Sequence, residues 1–126
     1  MTNSIPKPEI LDSLEEPVFR ATATLAGVQL GVFTVLKDGP LTVTQLADAL
    51  SVEMPRLRSL LYALVIVGLL SEKDGLFSNT AEADYYLVRG RPSYQGHRTG
   101  FWSGIWRAAL LTGESIRTGK PQSRYD

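Results

Sequence analysis

Apolar residues crowd positions 18–36. Val18, Phe19, Ala21, Leu25, Ala26, Val28, Leu30, Val32, Phe33, Val35 and Leu36 fall on every side of a helical wheel, with Arg20 the one charge before Lys37. The pattern predicts one long helix from Pro17 to about Lys37. Pro17 suits a first helical turn, Glu15 and Glu16 set negative charge at the positive end of the helix dipole, and Gly39-Pro40 stops it. A helix that is apolar all round must be buried all round. A small domain has little other surface to cover every side, so the pattern predicts that this helix meets a second copy. Ala23, Gly27 and Gly31 recur every four residues as a strip where another backbone can approach. Together with Val18, Phe19, Leu30 and Phe33 they form the expected dimer interface. The competing reading is the central core helix of a monomer. Upstream, Pro6, Pro8 and the acidic Asp12, Glu15 and Glu16 mark an opening segment with one short helix at 10–14.

The periodicity then shortens. Thr42 with Gln45 three residues on makes a capping box, and Val43, Leu46, Ala47 and Leu50 share a face, which predicts a helix over 42–50. Pro55 opens another over 55–69, carried by Leu57, Leu60, Leu61, Leu64, Val65 and Leu69. In 70–79, Lys73-Asp74-Gly75 divides two short β-like runs, and Asp-Gly is a strong hairpin signal. Two helices, a tight turn and a hairpin make a winged helix-turn-helix. Thr80 reads as the N-cap of a short helix through Leu87, and a last long helix is expected over 93–116, ending before Gly119 and Pro121. The expected fold class is therefore mostly α: a winged-helix domain with one short β-hairpin and a long C-terminal helix, occupying residues 1–126 as a single unit.

Composition narrows the function. The chain has 126 residues, 44% of them hydrophobic and 21% charged, which suits one folded domain of ordinary size. Thirteen basic residues balance thirteen acidic ones, so no global field draws in nucleic acid or acidic lipid. There is no cysteine, hence no disulfide, thiol chemistry or zinc finger. The first ten residues lack an apolar block, and the uncharged run 21–36 is shorter than the roughly 20 apolar residues of a membrane span. The chain reads as cytoplasmic, with no membrane partner. As a DNA reader the winged helix would use Thr44, Arg56, Arg58 and Ser59 in a groove with Lys73 on the wing tip. Yet over 51–79 Arg56, Arg58 and Lys73 are matched by Glu53, Glu72 and Asp74, where a DNA reader typically neutralises about six to ten phosphates. A winged-helix transcriptional regulator stays open as the alternative function.

Catalytic constellations are missing. His97 is the one histidine, read as solvated or capping, and neither G-x-G-x-x-G nor a P-loop motif occurs. No catalytic, cofactor-binding or metal-binding residue is expected on this chain. In the last helix Gly96, Gly100 and Gly104 recur every four residues amid Tyr94, Phe101, Trp102 and Trp106. The bland reading is an aromatic core with tight helix packing; the sharper one is a flat ligand held against the aromatics. Arg117, Lys120 and Arg124 form a basic tail that suits a helix C-terminus.

The runs LAGVQLGVF at 25–33, GPLTVTQLA at 39–47 and PRLRSLLYALVIVGLL at 55–70, with DGLF at 74–77, Thr80-Ala81 and RTGKP at 117–121, resemble a known family. They resemble the N-terminal dimerisation domain of the S-adenosylmethionine-dependent small-molecule O-methyltransferases of plant and bacterial natural-product pathways. The resemblance implies a homodimer interlocked along residues 18–35 and a winged helix used for packing. It also implies substrate-lining candidates at Phe101, Trp102 and Trp106, facing a small-molecule acceptor. The family's S-adenosylmethionine and its catalytic base belong to a Rossmann-like methyltransferase domain downstream of the last helix. The residues here hold none of it, so the expectation is that this chain alone binds no cofactor and methylates nothing.

Overall fold

The computed structural model describes residues 4–121 and is built from helices around a small antiparallel sheet. Helix α1 spans Glu9–Leu30, earlier than Pro17 suggested. Glu9 and Asp12 supply the first-turn negative charge, and Pro17 lies inside the helix. Its missing N–H removes one bond from the ladder, but the turns on either side continue, so the short helix expected at 10–14 and the long one are a single element.

The expected run to Lys37 is broken at Gly31. Its backbone is left-handed, φ 84° and ψ 24°, and its N–H returns to the carbonyls of Gly27 and Val28. Glycine takes this conformation at no steric cost. The chain then turns by 57° into helix α2, Val32–Val35, and a 3₁₀ turn, Leu36–Asp38. That bend answers the problem of an all-round apolar helix. Val32, Phe33 and Leu36 swing onto the winged-helix core and become buried at 0%, 1% and 2% exposure. No single helix among the described residues is long and apolar enough to cross a membrane.

Helix α3, Val43–Leu50, starts with the expected capping box: Gln45 N–H donates to Thr42 Oγ1 at 3.2 Å and Thr42 N–H to Gln45 Oε1 at 2.9 Å. Helix α4, Met54–Val67, carries Pro55 in its first turn. Strands β2, Leu70–Lys73, and β3, Leu76–Asn79, pair antiparallel across the Asp74-Gly75 turn, where both residues have positive φ as the tightest hairpins require. A two-residue strand β1, Leu41–Thr42, adds to the far side of β3 with Leu41 opposite Phe77, giving the order β1-β3-β2. So short a strand has no pattern of its own and exists because β3 offers it an edge.

Helix α5, Ala81–Tyr86, follows Thr80, but the Thr80 hydroxyl does not cap it. It donates instead to the Gly68 carbonyl at 3.0 Å, one of the acceptors left over at the end of α4. The expected helix over 93–116 is two: α6, Arg98–Ala109, and α7, Thr112–Thr118, separated at Leu110-Leu111. Its start is delayed because residues 91–97 form a turn held by Tyr94 N–H to Arg91 O and Gln95 N–H to Tyr86 O at 2.7 Å. Of the basic tail, Arg117 pairs with Glu114, Lys120 is exposed, and Arg124 lies outside the described residues.

The core joins Val28, Val32, Phe33 and Leu36 to Leu46, Leu57, Leu61, Leu64, Leu70, Phe77 and Ala83. Tyr62 meets the Phe77 ring edge-on at 5.3 Å.

Candidate functional site

Three surfaces can carry function: the outer face of α1, a cleft among α1, α4, α5 and α6, and the face of the winged helix. The first divides the residues of the expected interface. Val18 and Phe19 are exposed at 55% and 69%, and Leu30 is exposed too. Ala23 packs on the core and Phe33 is inside it. A Cβ on Gly27 would stand 3.0 Å from Leu64 Cδ1 and 3.1 Å from Phe33, so the close approach that glycine permits is to the chain's own α4 and α2. Gly31 is buried, where it ends α1 beside the Arg89 guanidinium. The strip Ala23-Gly27-Gly31 thus serves this chain's own packing. The structure also presents Ile10, Leu11 and Leu14, all more than 60% exposed, running into Val18 and Phe19. Their three- and four-residue spacing was readable, but starting the helix at Pro17 hid it.

The cleft is about 540 Å³. One wall is Arg98 and Trp102 of α6, another is Glu82 and Tyr86 of α5, and Thr24 of α1 and Gly68 lie between. Its frame is tied by cross-element hydrogen bonds that sequence reasoning missed. Arg20 donates to the Val67 carbonyl at 3.2 Å, Arg89 to the Val28 carbonyl at 2.6 Å, and Arg91 to the Asp84 carboxylate at 2.9 Å. Arg20 and Arg89 satisfy carbonyls at the C-terminal ends of α4 and α1, where cations are favoured. No spacing rule finds such partners, because 47 and 61 residues separate them.

Of the substrate-lining candidates, only Trp102 lines this cleft. Trp106 is half-buried with its ring 6.2 Å from that of Trp102, and Phe101 is 62% exposed beside a shallower hollow with Ile105 and His97. A Cβ on Gly100 or Gly104 would meet nothing within 4 Å, so no element of this chain packs closely there. His97 is exposed at the start of α6 and caps nothing with its side chain.

On the winged helix, Thr44, Arg56, Arg58, Ser59 and Lys73 are all exposed, and Arg56 lies 3.6 Å from Glu53, which offsets its charge. Among the described residues no group of His, Asp or Glu could hold a metal ion. Nor do the residues present fit a methyl donor. Of the positive-φ glycines, Gly31, Gly68 and Gly119 end α-helices, Gly39 ends the 3₁₀ turn, Gly75 turns the hairpin and Gly90 lies in the turn after α5, so none forms a strand-to-helix loop that cradles a nucleoside.

Residues 18–89 match the family model described as the O-methyltransferase dimerisation domain. Over 118 residues the chain is 31% identical to a 3-hydroxy-5-methyl-1-naphthoate 3-O-methyltransferase of Streptomyces sahachiroi, covering 90% of this chain and 33% of that protein. Among solved structures it is similar to the N,N-8-amino-8-demethyl-D-riboflavin dimethyltransferase RosA of Streptomyces davawensis, with TM-score 0.77 and 28% identity over 91% of this chain and 35% of that one. It also shares its fold with PigF bound to SAH, with TM-score 0.80 and 22% identity over 91% of this chain and 38% of the other. The chain spans about a third of the length of the O-methyltransferase it matches. With the same mostly helical winged-helix fold and a family match across α1 to α5, the chain belongs to the O-methyltransferase dimerisation domain family.

Proposed function

We propose that this chain is the self-associating N-terminal part of an S-adenosylmethionine-dependent methyltransferase acting on a small molecule. The observation that carries the reading is the outer face of α1: Ile10, Leu11, Leu14, Val18 and Phe19 form an apolar stripe left uncovered among the described residues. Apolar surface on this scale marks an interaction site. On this reading the dimer interface is that stripe together with Leu30, and Phe101 and Ile105 of α6 with Leu110 just past its end give a second exposed apolar strip available to it.

Within the whole enzyme, this part holds two subunits together, and α6 lines the acceptor site through Trp102. The methyl donor and the catalytic base belong to the part of the relatives that the chain does not span. The acceptor is a hydroxylated or aminated aromatic compound of natural-product biosynthesis. The similarity to a naphthoate O-methyltransferase and to a riboflavin-type N,N-dimethyltransferase supports oxygen or nitrogen as the methylated atom.

Sedimentation equilibrium of the 126-residue chain tests the central point. A dimer that Leu14→Asp converts to a folded monomer is the expected result. A wild-type chain that runs at 13.8 kDa at all concentrations removes the reading. For the winged-helix face, the balance of charge supports packing rather than DNA binding, and a mobility shift at low salt checks it.

A further inference from the structure

Two of the helices that line the cleft, α5 and α6, each present a charged group and an aromatic ring one turn apart. On α6 Arg98 and Trp102 are four residues apart, on α5 Glu82 and Tyr86 are four apart, and all four line one volume. Side chains at that spacing share a helix face, displaced by about 5.4 Å along the axis. The opposite charges do not consume each other: among the described residues neither Arg98 nor Glu82 has an ion-pair partner within 4.0 Å. Arg98 gives one N–H to Gln95 Oε1 at 2.9 Å, which leaves most of its roughly five donors uncommitted. The two threonine hydroxyls in the cleft donate to backbone, Thr24 to Arg20 O and Thr99 to Gly96 O. Beside the Gln95 amide, what remains on offer is a cation, an anion and two ring systems, one of them the phenol of Tyr86, in a space of about 540 Å³, within the range of small-molecule sites.

We propose that this cleft binds a flat aromatic acid bearing a second polar substituent. The ring lies against Trp102 and Tyr86, the carboxylate takes the planar fork of Arg98, and a hydroxyl or amine at the opposite end of the ring donates to Glu82. The guanidinium fork matches a carboxylate in two parallel hydrogen bonds, which a neutral or singly donating group cannot return. Glu82 conversely rejects a second carboxylate, so the site distinguishes a hydroxy acid from a diacid. This names the substrate class of the acceptor-lining role given to α6 above and rests on that reading.

Calorimetric titration of the full 126-residue chain with 6-hydroxy-2-naphthoate, 2-naphthoate and 2-naphthol tests it. The hydroxy acid is expected to bind at least tenfold more tightly than naphthol. Arg98→Gln erases that preference and leaves naphthol unchanged, Arg98→Lys retains part of it, and Glu82→Gln brings the hydroxy acid down to the level of 2-naphthoate. Both side chains are on the surface, and an unchanged far-ultraviolet circular dichroism spectrum certifies each variant. Equal binding of naphthol and the acids, an Arg98→Gln chain that keeps the preference, or no binding of any of the three overturns the proposal. The dimer is read separately: a chain that binds the acid yet sediments as a monomer defeats the dimer and leaves the cleft standing, and a dimer indifferent to the acid does the reverse.

Discussion

The segment from Val28 to Val88 is richer in apolar residues than the two arms that flank it, 33 of 61 against 22 of 65, and the two regions use them in opposite ways. Every buried core hydrophobic among the described residues lies between Val28 and Val88. Outside that span, Ile10, Leu11, Leu14, Val18 and Phe19 on one arm and Phe101, Ile105, Leu110 and Ile116 on the other are exposed. The central segment closes on itself because Gly31 bends the chain back and the hairpin returns Phe77 under α4. The arms are helices whose outer apolar faces are left uncovered among the described residues. Their apolar faces cost free energy in water until something covers them, and in the proposed enzyme that cover is a second subunit. Large apolar residues occur in both regions, and whether the backbone turns back on itself decides which of them are buried.

The strongest way to break the comparison is to attack the closed half. Phe77→Ala, at a ring 2% exposed, is expected to cost about 3–5 kcal/mol, a large part of the stability of any domain this size. Urea denaturation reads it as a lower midpoint, and a loss below 1 kcal/mol would mean that the core can repack around the hole. On the arm, Phe19→Glu is expected to leave the melting of the folded unit in place while weakening self-association. Its lost burial is worth about 1.5–3 kcal/mol, or roughly ten- to a hundredfold in dissociation constant. Sedimentation equilibrium against thermal denaturation separates the two effects.

Gly27→Leu sharpens the boundary between the halves. With Leu64 and Phe33 already about a Cβ contact away, overpacking is expected to cost about 1–3 kcal/mol of folding stability. The loss should be the same at micromolar and at hundredfold higher protein. A penalty that grows with concentration would place Gly27 at the subunit contact after all. The smallest effect is local: Thr42→Ala removes one side of the capping box and is expected to cost about 1 kcal/mol in denaturant midpoint, with no change in sedimentation.

The capping box at Thr42 and Gln45, Pro55 in the first turn of α4 and the Asp74-Gly75 turn were legible because each rests on bonds among residues a few positions apart. So was the alternation of helix and hairpin that defines the winged helix. The burial of residues 18–36 was legible only in part. The all-round apolar pattern of 18–36 pointed to a covered helix, but its cover is largely the chain's own: Gly31 permits a left-handed turn, and whether a glycine uses that freedom depends on what the following residues can pack against. Pro17 carried the opposite lesson. A proline can open a helix or sit within one, and the residues before it decide.

The sequence by itself determined the elements whose hydrogen bonds close within a turn or a hairpin, and it determined the zero net charge of residues 51–79. Only the tertiary structure decided which apolar residues are spent inside and which are presented, where β1 pairs, and that Arg20 and Arg89 cap helices 47 and 61 residues away. It also brought Glu82 and Tyr86 to the same cleft as Arg98 and Trp102. Those outcomes depend on distances in space between residues far apart in the chain, and no local propensity encodes such a distance.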